Sequence, residues 1–219
     1  MNSSGMRSAG LGLAVVAALV LGAVGCRPTP TKAAGTTAAP VRNMAAAAGT
    51  GAGAACVFVK PDGAQKFGHV GWGFRVTGTD KWVYGAVENP TNKLYTPPGG
   101  DIGAWHTTGS YARMLSDMSR DARYPGHSTH PYSRYRCTGS PTSDVGAARD
   151  MVRQVERRGF LVGVDPRTGK LTSRDCLDAT YDVLRAYRTR HLTPAPKLSV
   201  PNVWVETLVL WSDKALRPQ

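Results

Sequence analysis

Cysteine is scarce in this chain, four in 219 residues. No CxxC pair occurs, which excludes a zinc ribbon, and the count is too low for a disulfide scaffold. Acidic side chains are also few, 15 Asp and Glu against 27 Lys and Arg, for a formal net charge of +12. Such an imbalance favours anionic surroundings: phospholipid headgroups, wall polymers or nucleic acid. Self-similar segments of ~33 or ~40 residues are missing, so the common solenoids are out. Hydrophobic residues at 42% and charged residues at 19% leave ample material for a core and rule out wholesale disorder.

The longest apolar run, AGLGLAVVAALVLGAVG over Ala9–Gly25, has 17 residues, four of them glycine. It follows Arg7, and it suits the apolar region of a signal peptide better than a stable span. It ends in Ala23-Val24-Gly25-Cys26, small residues before a cysteine that resemble a bacterial lipobox. Cys26 would then be lipidated. The position three before Cys26 is Ala23, where the lipobox usually has Leu, and Ala-x-Gly also fits an ordinary secretory cleavage site. Residues 1–25 are thus expected to be a signal peptide, with a retained signal anchor as the alternative. Residues 26–55 are small, Pro, Thr and Gly residues without an aromatic anchor. That composition cannot recover its ordering entropy by burial and predicts a flexible tether. The expected folded domain, 56–219, keeps a net charge of +8 because the first 55 residues carry four basic and no acidic side chains. Export makes nucleic acid an improbable partner and an anionic envelope surface a natural one.

Within the domain, Cys56–Lys60 is β-rich and stops at Pro61-Asp62-Gly63, a turn signal. FGHVGWGFRV over Phe67–Val76 alternates, with Val70, Trp72, Phe74 and Val76 on one face and His69, Gly71 and Gly73 on the other. Glycines beside the histidine clear space on that face, as a site approached by backbone or ligand needs. Gly78-Thr79 reads as a two-residue turn and Lys81–Glu88 as the returning strand. Asn89–Gly103 reads as a loop; its Gly-rich PPGGDIG lacks the Lys-Ser/Thr of a phosphate loop. Tyr132–Cys137 reads as a further strand. Helices are expected after Ser110, after Pro141–Asp144, from near Ser173, and from Pro201 with Trp204, Leu208 and Trp211 on one stripe. Strands, helix, strand, helices is an α+β order. Arg134, Arg136, Arg153, Arg157 and Arg158 are expected to be solvated or to face anions.

Cys176 stands where Thr172–Asp175 signals a helix start. There, free N–H groups and the helix dipole favour negative charge on sulfur. A nucleophilic cysteine needs a base, and His69 on the glycine-cleared face is the best candidate. With a turn at Gly78-Thr79, paired positions sum to 157 and Glu88 falls opposite His69, close enough to orient its imidazole. A different turn would shift the register and let Asn89 or Tyr84 substitute. The plain alternative is a buried small hydrophobe at Cys176 and a satisfied core histidine at His69.

The segments FGHVGWGF, WVYGAVEN and RDCLDATYDVLRAY together resemble the circularly permuted papain-like thiol hydrolases, the NlpC-related and lecithin:retinol acyltransferase group. A Pro-Asn-x-Trp segment such as Pro201–Trp204 accompanies them in uncharacterised bacterial exported proteins. The resemblance implies an antiparallel sheet packed on helices, with Cys176 as nucleophile, His69 as base and Glu88 as orienting group. It implies acyl transfer through a thioester, on cell-wall peptides or lipid-linked acyl groups, with no cofactor. The family often has Asn before the cysteine; this chain has Asp175, whose carboxylate opposes a neighbouring thiolate. The competing expectation is a non-catalytic envelope-binding lipoprotein of the same fold. Cys56 and Cys137, both in expected strands of an exported protein, are candidates for a disulfide, with two buried thiols as the alternative. His127 and His130 in PGHSTHPY would need further ligands to hold a metal, and no metal site is expected.

Overall fold

The computed structural model describes residues 52–120 and 131–217. Cys26, His127 and His130, together with the expected signal peptide and nearly all of the expected tether, lie outside the described residues. The described chain is α+β. A six-stranded antiparallel sheet runs in the order β5-β3-β2-β1-β6-β9. Its strands are β1 (Gly53–Lys60), β2 (His69–Arg75), β3 (Lys81–Val87), β5 (Ala104–Ser110), β6 (Arg134–Ser140) and β9 (Ser212–Ala215). A second antiparallel sheet, β4-β7-β8, is formed by β4 (Tyr95–Thr96), β7 (Phe160–Val164) and β8 (Leu171–Arg174). The helices are α1 (Tyr111–Arg120), α2 (Val145–Arg157), α3 (Cys176–Ala186) and α4 (Pro201–Glu206). No helix among the described residues is long and apolar enough to cross a membrane.

Alternation along the central strands sends side chains to two cores. Val57, Val59, Val70, Trp72 and Phe74 join Ala148, Val152 and Val155 of α2 and the buried face of α3. Cys56, Phe58, Tyr84 and Ala86 join Met114 and Met118 of α1 on the other side. Both faces of the sheet are therefore covered. This corrects the expectation for Gly71 and Gly73. A Cβ at Gly73 would lie 2.6 Å from Met114 Sδ, and one at Gly71 would lie 3.0 Å from Met118 Cε and 3.1 Å from the Tyr132 hydroxyl. The cleared space admits α1 and Tyr132, not a ligand.

The register of the first hairpin has the expected sum, with Gly71 opposite Ala86 and Phe74 opposite Val83. Its connection differs. Val76 N–H donates to Lys81 O, so the loop is the four residues Thr77–Asp80 rather than two. Both versions share the same midpoint, and the register is unchanged. β1 begins at Gly53, three residues inside the expected tether, because Gly53–Ala55 pair with Thr138–Ser140 of β6. A side chain at position 53 would collide with Ser143, so small residues that read as linker serve as strand.

Helix caps follow local chemistry. Ser110 Oγ accepts from Arg113 N–H, and Asp144 accepts from Ala147 N–H at the start of α2. α3 starts later than expected, because Leu171–Arg174 belong to β8 and Asp175 alone is the cap. The last helix is six residues long, and Leu208 and Trp211 are buried from the turns after it. β4, β5, β9 and the β7–β8 pair have no counterpart among the expected elements.

The arginines of β6 face carboxylates, Arg134 from a partly exposed position and Arg136 from a buried one. Arg136 is buried and donates to Val205 O and Leu208 O, and it pairs with Glu206 and Asp213. Arg134 shares the same two carboxylates, so the pair ties β6 to α4 and β9. Arg158 pairs with Asp182 across α2 and α3, and Arg153 with Asp150.

Cys56 and Cys137 lie directly opposite each other on β1 and β6, with Cα atoms 4.1 Å apart, and are joined by a disulfide. The bond closes a loop with a sequence separation of 81, which restricts the unfolded chain. Replacing both cysteines with alanine is expected to lower the unfolding free energy by about 2–4 kcal/mol. Chemical denaturation of the oxidised parent and the double variant measures it.

Candidate functional site

The site forms at the end of the six-stranded sheet, where β1 stops and β2 begins. Lys60, the last residue of β1, is directly opposite His69, the first of β2. Glu88 follows β3 immediately, and the hairpin register carries it to His69. Its carboxylate collects three hydrogen-bond donors and the His69 ring. Lys60 Nζ lies 3.0 Å from Oε2, and Tyr132 donates to Oε1 at 2.9 Å. Trp105 Nε1 donates to Oε1 at 3.3 Å, and His69 Nε2 stands 3.0 Å from Oε2. The His69 approach is oblique, so charge rather than an aligned hydrogen bond carries it. Lys60 is only 2% exposed, and its ammonium also sits 4.4 Å from the centre of the Tyr132 ring.

The Cys176 thiol lies close enough to the same imidazole to interact with it electrostatically. Cys176 is the first residue of α3 and is 7% exposed, with a free thiol. Asp175 caps the helix, accepting from Leu177 N–H at 2.9 Å and Asp178 N–H at 3.0 Å. Asp178 closes a capping box by accepting from Asp175 N–H. The carboxylate that stands where the resembled family has Asn is therefore spent on helix N–H groups. Burial and then the neighbouring Asp178 push its pKa up to about 6.

The electrostatics favour a charged imidazole. Burial alone would keep the His69 ring neutral. Interaction with Cys176 and then with Glu88 outweighs burial and raises the pKa from its ordinary 6.5 to about 10. Burial also works against the Glu88 carboxylate, and the His69 and Lys60 cations overcome it, holding that carboxyl well below the usual range. The buried imidazole thus adjoins both a carboxylate and a thiol, and both favour its charged form.

Of the residues singled out in the sequence, Cys176, His69 and Glu88 come together. The substitutes for Glu88 do not: Tyr84 donates to Asp117, and Asn89 to the Lys93 carbonyl. Lys60, Trp105 and Tyr132 belong to the site without any signal in the sequence pattern. A lysine closing an apolar strand before a turn ordinarily faces water, and only its register partner His69 could flag it. Asn202, of the Pro-Asn-x-Trp segment, has a structural role beside the site. Its side chain donates to Pro61 O at 2.9 Å and Lys66 O at 3.2 Å, and its own N–H donates to Phe67 O. This clamps the loop that delivers His69. Gly68, with φ +92°, lets the loop pass so close that a Cβ there would lie 2.1 Å from the Asn202 amide. Among the described residues no group of His, Cys, Asp or Glu is arranged to hold a metal ion. No family model, curated protein or solved structure matches this chain.

Two outcomes follow from the buried charges. Glu88→Gln removes the buried charge that Lys60 and His69 both face and should destabilise the fold by about 3–5 kcal/mol. Adding His69→Gln to Glu88→Gln should cost less than the two single losses summed, as read by urea denaturation of the single and double variants. The raised His69 pKa makes its stabilisation pH-dependent. It is fully present below pH 6.5 and is lost as pH rises toward about 10. The stability difference between the parent and His69→Gln should therefore shrink across that window, which thermal melts at a series of pH values would show.

Proposed function

We propose that the protein is an exported, lipid-anchored thiol hydrolase or acyltransferase with a permuted papain-like arrangement of sheet and cysteine helix. Cys176 is the nucleophile, His69 the acid and base, and Glu88 the orienting group. The observation that supports this reading most is the approach of Cys176 to His69 near enough for electrostatic interaction, residues 107 positions apart, at a helix start and a strand end. Local structure alone would not bring them together.

In the reaction, the Cys176 sulfur, its proton held on His69, attacks the carbonyl carbon of an amide or ester. His69 then gives that proton to the departing amine or alcohol, and the acyl group remains on sulfur as a thioester. Water or a second acceptor attacks the thioester while His69 takes its proton. Loss of the acyl product returns the sulfur and imidazole to their starting state. Glu88 keeps the ring oriented and stabilises its positive charge; Lys60, Tyr132 and Trp105 in turn fix the carboxylate. The substrates implied are cell-wall peptides or lipid-linked acyl groups, at the anionic envelope surface that the basic balance of the chain favours.

The low exposure of Cys176 favours a second reading, a tethered envelope-binding lipoprotein that keeps the fold without turnover. Iodoacetamide labelling at Cys176, followed by peptide mass, separates the two. The hydrolase predicts labelling well below pH 7 that falls by roughly tenfold or more in His69→Gln. A thiol that labels only near its free range of about 8.5 and ignores His69 indicates the binder.

A further inference from the structure

The small sheet β4-β7-β8 carries an apolar face that the thiol site does not use. Val162 N–H donates to Leu94 O, and Val162 is opposite Ser173. Two residues along, Val164 is opposite Leu171. Leu94, Val162, Val164 and Leu171 therefore share one face of this sheet, with Val162 partly packed on the main core and the other three open. Leu94 is 66% exposed, Val164 61% and Leu171 67%. Leu198, also exposed, joins the same region, because its N–H donates to Ser173 Oγ at 2.8 Å. A cluster of open aliphatic side chains on paired strands, rather than scattered ones, marks an interaction surface.

Its charge is of one sign. Lys93 precedes Leu94, Lys170 precedes Leu171, and Arg167 sits in the turn between β7 and β8; all three are exposed. None of the three is in an ion pair among the described residues. The single acid in segments 91–100, 160–174 and 191–200 is Asp165, which is buried and bonded to Arg174. Protein–protein interface cores favour aromatic residues and exclude lysine. Open Leu and Val bordered by Lys and Arg, whose aliphatic stems lie along apolar surface while their charges reach headgroups, suit a lipid interface.

We propose that this face of the β4-β7-β8 sheet seats the domain on an anionic lipid bilayer. The aliphatic side chains enter the headgroup boundary, and Lys93, Arg167 and Lys170 meet lipid phosphates. β8 ends two residues before Cys176, so the seated face adjoins the start of the cysteine helix. The proposal stands on this surface and not on thiol chemistry; an inert Cys176 would leave it untouched.

The test uses the full chain reconstituted in phosphatidylcholine vesicles with or without phosphatidylglycerol. The N-terminal segment is the same in both, so the headgroup is the variable. Amide hydrogen exchange of peptides covering 160–174 should slow by roughly threefold or more when phosphatidylglycerol is present, while α2 peptides do not change. The Arg167→Glu/Lys170→Glu variant should lose the slowing, and so should Leu94→Asp/Leu171→Asp. Equal exchange in the two vesicles overturns the proposal. Slowing in lipid-free detergent that grows with protein concentration also overturns it, by assigning the face to a second copy of the chain.

Discussion

A carboxylate buried at the end of a sheet is tolerated only if its charge is answered on every side, and Glu88 is so answered. Lys60 comes from β1, His69 from β2, Trp105 from β5 and Tyr132 from the approach to β6. Four segments of the large sheet thus converge on two oxygen atoms. The arrangement is costly to disturb, since loss of any charged partner strands another charge in low dielectric. It also fixes the position of His69 more firmly than apolar packing could, because charges and hydrogen bonds specify direction as well as proximity.

The rest of the molecule can be understood from that convergence. The disulfide between β1 and β6 holds together the strands that supply Lys60 and lead from Tyr132. α1 covers the glycine face of β2 and leaves room for the Tyr132 hydroxyl beside Gly71. On the opposite face, α3 brings its N-terminus to the end of β2, and the Asp175–Asp178 capping box fixes where that helix starts. Cys176 reaches His69 as a result of these separate constraints, none of which involves the thiol itself.

Much of this is legible in the order of the residues alone. The strict alternation of FGHVGWGFRV places β2 and its two faces. The hairpin midpoint places Glu88 opposite His69 whether the turn has two residues or the four that it has. The cap before Cys176 is readable from Asp175. Other parts are not legible, for physical reasons. Lys60 is buried only because Glu88 is, and a charge pair joining two strands leaves no periodic mark. β5 (AWHTTGS) is an edge strand whose exposed threonines and glycine hide its pattern. β8 is four mostly polar residues, although Asp165-Pro166-Arg167-Thr168-Gly169 before it carries turn chemistry that points to a hairpin. Arg134 and Arg136 resemble surface charge, since their partners Glu206 and Asp213 lie about 70 residues further on.

The Asn202 clamp ties the timing of assembly to the direction of synthesis. The loop before His69 is held by Asn202, 141 positions after Pro61 in the chain. Strands β1 to β3 can pair while later segments are still being made, since chains fold in order as they emerge. Until Pro201–Trp204 arrives, however, the 61–68 loop lacks its clasp and the imidazole lacks a settled position. A nascent chain therefore carries the thiol and its partners as separate, uncoordinated groups until residues 201–204 have been made.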